Sequence, residues 1–267
     1  MRSKSLPSTI VILAILAFVG YDALFSPPPQ NPNVANENLL PSDLAPGSAA
    51  YGLRVENSWP PVGQAGQEER IAKDLLAVNY YVVLDGSGSM NEMQCSGGRP
   101  KIEVARSALE AFSGSLPANA NLGLLVFDRY GLSERVPLAG NNQGEFFAAV
   151  KQVQSEGGTP LASAVKLAYQ KLSQQGRRQL GYGEYHLVIV TDGLASEGQS
   201  PTAMVNRVLH ESPVVFHTIG FCIDENHPLN QPARAYYRTA GNPEALAQGL
   251  KDVLAEAPEF TVAQFKE

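Results

Sequence analysis

Apolar and polar residues follow two different periods along most of the 267-residue chain. Short apolar runs that end in a polar residue or a turn predict buried strands, and apolar residues three or four apart predict helices. The predicted strands are 80–85, 121–127, 133–138, 185–191, 214–219 and 236–239, of which the third and the last are edge strands. The predicted helices lie between them, at 101–113, 145–153, from 161 onward, 201–210 and 243–255. This alternation favours an α/β fold, with an open, mostly parallel sheet of about six strands and helices on both faces.

The first 66 residues differ from this alternating region. Arg2 and Lys4 precede an apolar stretch at 10–19, which extends with one interruption to Phe25. The pattern is typical of an N-terminal signal anchor at 1–25, and a cleaved signal peptide is the alternative. Because basic residues stay in the cytoplasm, both interpretations predict an exported domain, either membrane-anchored (on the periplasmic side in a Gram-negative cell) or secreted. Residues 26–66 predict a Pro/Asn-rich stalk and an irregular segment, and 67–267 the domain itself, beginning with a short helix at 67–78.

Composition and charge narrow the class of protein. Hydrophobic residues make up 44% of the chain and charged residues 17%, as in a globular protein with an ordinary core. The formal net charge is −6, and no run of Lys or Arg is present. Because nucleic-acid binding needs a basic face, this class of function is excluded.

The strand predicted at 80–85 ends in a cluster of oxygen-bearing side chains. Asp85, Ser87 and Ser89 lie two residues apart, and Gly86 and Gly88 remove the side chains that would crowd the turn. One carboxylate and two hydroxyls are hard oxygen ligands, which suit Mg²⁺ or Ca²⁺ better than a soft metal. The motif is a candidate cation site.

Two further elements contribute oxygen ligands. Thr159 ends a glycine-rich loop at the start of a predicted helix, and Asp192 follows the strand predicted at 185–191. In a parallel sheet, ligands bind at the carboxyl ends of the strands, so these side chains are expected near Asp85.

The complete pattern, D-x-S-x-S followed by Thr159 and Asp192, resembles the metal-ion-dependent adhesion site of von Willebrand factor type A (vWA) domains, and the chain as a whole resembles a bacterial membrane-anchored type. The resemblance covers about 79–255 and implies a Rossmann-like sheet. It implies that Ser87 and Ser89 bind a divalent cation directly, that Asp85 and Asp192 hold it directly or through water, and that Thr159 joins when a ligand is bound. The implied cation is Mg²⁺, with Mn²⁺ or Ca²⁺ as alternatives. The implied function is binding of a partner protein through an exposed Asp or Glu that completes the coordination of the cation.

Other functions fit the residues less well. A metal-dependent hydrolase with Asp85 as nucleophile, as in aspartate-based phosphatases, would need a second Asp where the chain has Ser87. The histidines have no accompanying nucleophile-elbow motif, so the chain is not expected to be an enzyme. The remaining alternative is an envelope assembly factor that works with an ATPase system.

Two cysteines follow predicted strands at the same edge of the sheet. Cys95 lies in the loop after the D-x-S-x-S motif, and Cys222 follows the strand at 214–219. Export would allow a disulfide between them, and two unpaired thiols are the alternative.

Overall fold

The fold is described from a computed structural model, in which residues 58–63, 69–231 and 235–255 are defined. These residues all belong to one compact unit, Arg54–Glu267. The signal anchor predicted at 1–25 and most of the predicted stalk lie outside the described residues. Among the described helices, none is long and apolar enough to cross a membrane.

Six strands form one sheet in the order β3-β2-β1-β4-β5-β6. All neighbouring strands are parallel except β2 and β3, which are antiparallel. The strands are β1 (Val78–Asp85), β2 (Asn121–Asp128), β3 (Gly131–Gly140), β4 (Glu184–Thr191), β5 (Val215–Phe221) and β6 (Tyr236–Ala240). The predicted α/β fold class, the strand count and both edge strands are confirmed.

Within the described ranges, five α-helices cover the sheet. They are α1 (Lys101–Gly114), α2 (Gln143–Lys151), α3 (Leu161–Arg178), α4 (Thr202–Glu211) and α5 (Pro243–Ala255). One apolar cluster lies beneath α1, α2 and α5, and a second lies beneath α3 and α4 on the other face. The central strands β1 and β4 are buried on both faces, which explains their unbroken apolar sequences.

The helix predicted at 67–78 is wrong over the described part of that range, 69–77, which is irregular. Tertiary hydrogen bonds replace the helical ones: the backbone N–H of Ala72 donates to Arg178 O, and Gln179 Nε2 donates to Leu75 O. Ile71 and Leu76 are exposed. Apolar residues in this segment are spaced as in a helix, but the segment does not form one.

A row of four stacked rings crosses the sheet. The ring centroids of Tyr80 and His186 are 4.7 Å apart, those of His186 and His217 5.4 Å, and those of His217 and Tyr236 5.2 Å. His186 Nδ1 and His217 Nε2 are 3.2 Å apart and share one hydrogen bond. Burial lowers the pKa of His186 to about 4. Burial, helped by the charges of His186 and Arg238, lowers the pKa of His217 to about 3, so both rings are neutral near pH 7.

Residues 58–63 pack on the domain through Trp59. The indole lies edge-on to Tyr185 near the start of β4, with ring centroids 4.5 Å apart. Gly176, near the end of α3, allows this approach, because an added Cβ would lie 2.4 Å from the indole ring. The chain therefore meets the domain at the amino ends of the central strands.

Candidate metal-binding site

Three loops meet at the carboxyl edge of the sheet, where the sequence predicts the site. The first loop (85–92) follows β1 and contains one 3₁₀ turn, Gly88–Asn91. The second (154–160) precedes α3, and the third (192–200) follows β4. Gly88 N–H donates to Gly157 O at 3.1 Å, and Glu156 N–H donates to Gly86 O at 2.9 Å, so the backbone of the first loop is fixed to the second.

The first loop fits only because Gly86 has no side chain. A Cβ at Gly86 would lie 2.7 Å from Val153 Cγ1, 2.9 Å from Asp128 Cβ and 2.9 Å from the carbonyl oxygen of Phe127. The Gly86 N–H donates to that carbonyl at 2.8 Å, which brings the loop against the end of β2. This close approach sets the direction in which the chain leaves β1.

Asp85 is fully buried at the end of β1 and orients two donors. Its Oδ1 accepts from the Ser87 N–H at 2.7 Å, and its Oδ2 accepts from the Thr191 hydroxyl at 2.5 Å. Burial raises the pKa of Asp85 to about 6, against the opposing effect of these hydrogen bonds, and the charge of Asp192 adds to the rise. The site therefore contains a carboxylate that is costly to ionise unless a positive charge is supplied.

The two serine hydroxyls lie between the two predicted carboxylate ligands. Ser87 Oγ and Ser89 Oγ are 3.1 Å apart, and the Ser89 hydroxyl donates to Asp192 Oδ1 at 2.7 Å. Because the Ser89 hydroxyl donates its hydrogen to Asp192, Ser87 is the donor in the contact between the two serines, and one lone pair of the Ser89 oxygen is left to face a cation. Adjacent ligands of octahedral Mg²⁺ lie about 2.9 Å apart, so the spacing of these oxygens fits a small divalent cation.

Thr159 lies beside this cluster and is held by the third loop. Its N–H donates to Ser196 Oγ at 2.8 Å, and Ser196 N–H donates back to Thr159 O at 3.0 Å. A Cβ added to Gly193 would lie 3.6 Å from Ser89 Oγ and 3.9 Å from Thr159 Oγ1, so both hydroxyls face the same glycine. The structure thus brings together all five residues predicted as metal ligands, and their role as ligands stays a prediction.

Comparison with known proteins agrees with this arrangement. Residues 80–194, from β1 to the start of the third loop, match the family model for the von Willebrand factor type A domain. This part of the chain is therefore similar to vWA domains. Proteins of this kind are generally interaction modules, and many bind a divalent metal at this edge of the sheet.

Similar proteins support the same fold. The uncharacterized protein YwmD of Bacillus subtilis is 26% identical, over 71% of this chain and 87% of its own length. The crystal structure of the conserved hypothetical protein BatB from Bacteroides thetaiotaomicron has a TM-score of 0.52 at 16% identity, and covers 67% of this chain and 100% of that one. An aerotolerance-related membrane protein from Bacteroides fragilis gives a TM-score of 0.52 at 14% identity, covering 67% of this chain and 99% of that one.

The candidate site contains a charged residue that was not predicted from the sequence. Lys101, the first residue of α1, is 3% exposed, and its Nζ donates to Asp192 Oδ2 at 2.8 Å and to Glu92 Oε2 at 3.4 Å. Burial lowers the pKa of Lys101, but the hydrogen bond and the charge of Asp192 raise it by more, so the net shift is upward and the side chain is an ammonium ion. The signal in the sequence was its position: Lys101 shares a helix face with Ala105, Ala108 and Phe112, all buried.

Two other supporting residues were also missed. The Thr191 hydroxyl donates to Asp85 Oδ2. His227, predicted only as part of a polar loop, is buried, and its Nδ1 accepts from the Leu229 N–H at 3.2 Å. Its Nε2 therefore carries the hydrogen and donates to Gly193 O at 3.0 Å, which anchors the turn that follows Asp192.

In the structure, Cys95 and Cys222 are free thiols, the second of the two alternatives that the sequence leaves open. The thiol of Cys222 donates to Gln94 O at 3.0 Å. Burial, with the neighbouring Cys95 thiol, raises the pKa of Cys222 to about 12. The strands that precede them, β1 and β5, are two positions apart as expected.

The donor set of the candidate site contains two carboxylates, Asp85 and Asp192, and otherwise neutral hydroxyls. In the part of the chain that the structure describes, no group of three or more His, Cys, Asp or Glu side chains could hold a metal ion. A zinc or iron site would need such a group. Two carboxylates with neutral hydroxyls instead suit a hard cation that keeps room for an outside ligand.

Proposed function

We propose that this vWA domain binds an acidic residue of a partner protein through a divalent cation, with Mg²⁺ as the expected ion, held by Asp85, Ser87, Ser89, Thr159 and Asp192. The observation that carries the proposal is the direction of the hydroxyl hydrogens. The Ser89 hydrogen points to Asp192, and the Thr191 hydrogen points to Asp85, so the carboxylates orient donors while one lone pair of Ser89 and those of Ser87 stay available.

Each residue has a separate task in this proposal. Asp85 and Asp192 supply negative charge and fix the positions of the hydroxyls, and Ser87 and Ser89 offer neutral oxygens. Thr159, on the second loop, adds a further hydroxyl oxygen beside Gly193. A hard divalent cation attracts carboxylates, and a protein that provides few charged ligands leaves that attraction for a partner.

Capture of a partner tests the function. Full-length chain with a C-terminal tag, solubilised in mild detergent, is incubated with envelope extract in Mg²⁺ and, in parallel, in EDTA. We expect a protein that is retained in Mg²⁺ and released by EDTA, because removal of the cation removes the bridge. Retention of the same protein at equal yield in EDTA would contradict the proposal, and an Asp85→Asn variant of the bait is the matched control.

We also propose that the domain is exported and anchored by residues 1–25. Support comes from the basic-then-apolar sequence of that segment and from the similarity in fold to a solved aerotolerance-related membrane protein. In membranes washed with alkaline carbonate, the chain should remain bound, and protease added to spheroplasts should digest the domain. Protection of the domain from that protease would show the opposite orientation.

A further inference from the structure

Lys101 is a positive charge built into the candidate metal site. Its side chain is 4% exposed and that of Asp192 is fully buried, so the 2.8 Å ion pair between them has almost no contact with water. Glu92, the second partner of Lys101, has a side chain that is 54% exposed, and its charge is therefore largely screened. The ammonium group of Lys101 thus acts mainly on Asp192.

We propose that Lys101 is a resident counter-ion that lowers the affinity of the site for a divalent cation, by compensating part of the negative charge that attracts it. The inference rests on the proposed function, since it concerns the same site. Lys101 is a positioning and affinity-setting residue, because its donors cannot coordinate a cation.

The net charge of the site gives the physical reason. Asp85 and Asp192 together supply two negative charges, and a divalent cation alone would neutralise them and leave a site with no net charge. With Lys101 present, the loaded site keeps one net positive charge, which favours the approach of a further carboxylate. The same charge repels the cation when no carboxylate has arrived, so the ammonium group couples metal binding to binding of an acidic partner.

A purely structural role for Lys101 predicts the opposite effect on metal affinity. If the lysine only held Asp192 in place, its loss would disorder that carboxylate and weaken cation binding. If it acts through charge, its neutralisation removes a repulsion and strengthens cation binding. The sign of the change in affinity therefore separates the two roles.

The test uses the full-length chain and Mn²⁺ alone, titrated by isothermal calorimetry and by the electron paramagnetic resonance signal of free Mn²⁺. Lys101→Gln removes the charge but can still donate a hydrogen bond to Asp192, and Lys101→Arg keeps the charge. We expect Lys101→Gln to bind Mn²⁺ about tenfold more tightly than wild type or better, and Lys101→Arg to stay within about threefold of it. Unchanged or weaker binding by Lys101→Gln would overturn the inference.

If Lys101→Gln is poorly stable, thermal unfolding still separates the charge role of Lys101 from a structural role. In EDTA this variant should unfold at a lower temperature than wild type, because Asp192 is left buried without its counter-ion. Saturating Mn²⁺ should raise its midpoint by more than it raises that of wild type; an equal or smaller rise would overturn the inference. The proposed function fails separately, if wild type itself binds no Mn²⁺.

Discussion

Asp85→Asn is expected to lower the affinity of the domain for Mg²⁺ by about 100-fold or more, since loss even of an outer partner of a metal ligand costs 10–100-fold. The fold should survive the change in EDTA. The buried carboxylate, whose pKa burial raises to about 6, is itself unfavourable when ionised near neutral pH. The new amide can accept from the Ser87 N–H and donate to the Thr191 hydroxyl, which can turn its own hydrogen to Gly193 O at 3.4 Å.

Calorimetric titration measures the affinity for Mg²⁺, and thermal unfolding with and without Mg²⁺ measures the stability of the fold. Wild type should gain stability from Mg²⁺ in proportion to the logarithm of its concentration, and Asp85→Asn should gain none in the same range. Asp128→Asn is the matched control: this carboxylate also lies buried at a strand end, but it accepts from Arg135 Nη2 at 2.7 Å and lies outside the cluster. If Asp85→Asn bound Mg²⁺ as tightly as Asp128→Asn does, the site would be assigned incorrectly.

The double variant His186→Phe/His217→Phe is expected to resist acid better than wild type. Both histidines have a folded-state pKa below the value of 6.5 expected in the unfolded chain, about 4 for His186 and about 3 for His217. The unfolded chain therefore binds more protons than the folded one below about pH 6.5. The stability that the neutral pair contributes is complete above that pH and is lost as the pH falls toward about 4.

Denaturant unfolding at a series of pH values checks this result. Between about pH 6.5 and about pH 4, wild type should lose on the order of 3 kcal/mol more of its free energy of unfolding than the double variant. Replacing both histidines avoids leaving one ring nitrogen without its partner, and two phenylalanines keep the stacked row. Tyr80→Phe changes a neighbouring ring of the row without removing a group that titrates in acid, and its pH dependence should follow wild type. If the free energy of unfolding had the same pH dependence in wild type and in the double variant, the two histidines would have the same pKa in the folded and the unfolded chain, and the prediction would be wrong.

The order and type of the elements from β1 to α5 were predictable from the sequence because polar and turn residues mark where the apolar run of each strand ends. The run that ends in Asp85 is buried on both faces and is followed at once by glycines, and the run that ends in Thr191 behaves in the same way. Parallel strands bring such ends to one edge, so the meeting of Asp85, Ser87, Ser89, Thr159 and Asp192 followed from topology alone.

Long-range partners were not predictable in the same way. Lys101 and Asp192 are 91 residues apart. The helical spacing places Lys101 on the buried face of α1, but it does not indicate which distant residue its side chain reaches. The segment before β1 failed for a related reason. Its backbone bonds go to Arg178, the last residue of α3, and to the side chain of Gln179, and tertiary contacts of this kind outweigh the local helical spacing.

The Trp59 contact has a mechanical consequence. The chain meets the domain beside Tyr185 and Gly176, at the amino ends of the central strands, whereas the candidate site lies at their carboxyl ends. A pulling force between a partner held at the site and the chain before residue 58 would run lengthwise along β1 and β4. The hydrogen bonds between these strands would then all bear the force at once, in shear. In a pair of strands that is pulled apart from one end, the bonds would instead break one after another. Tension between a bound partner and residue 58 would therefore act parallel to the central strands.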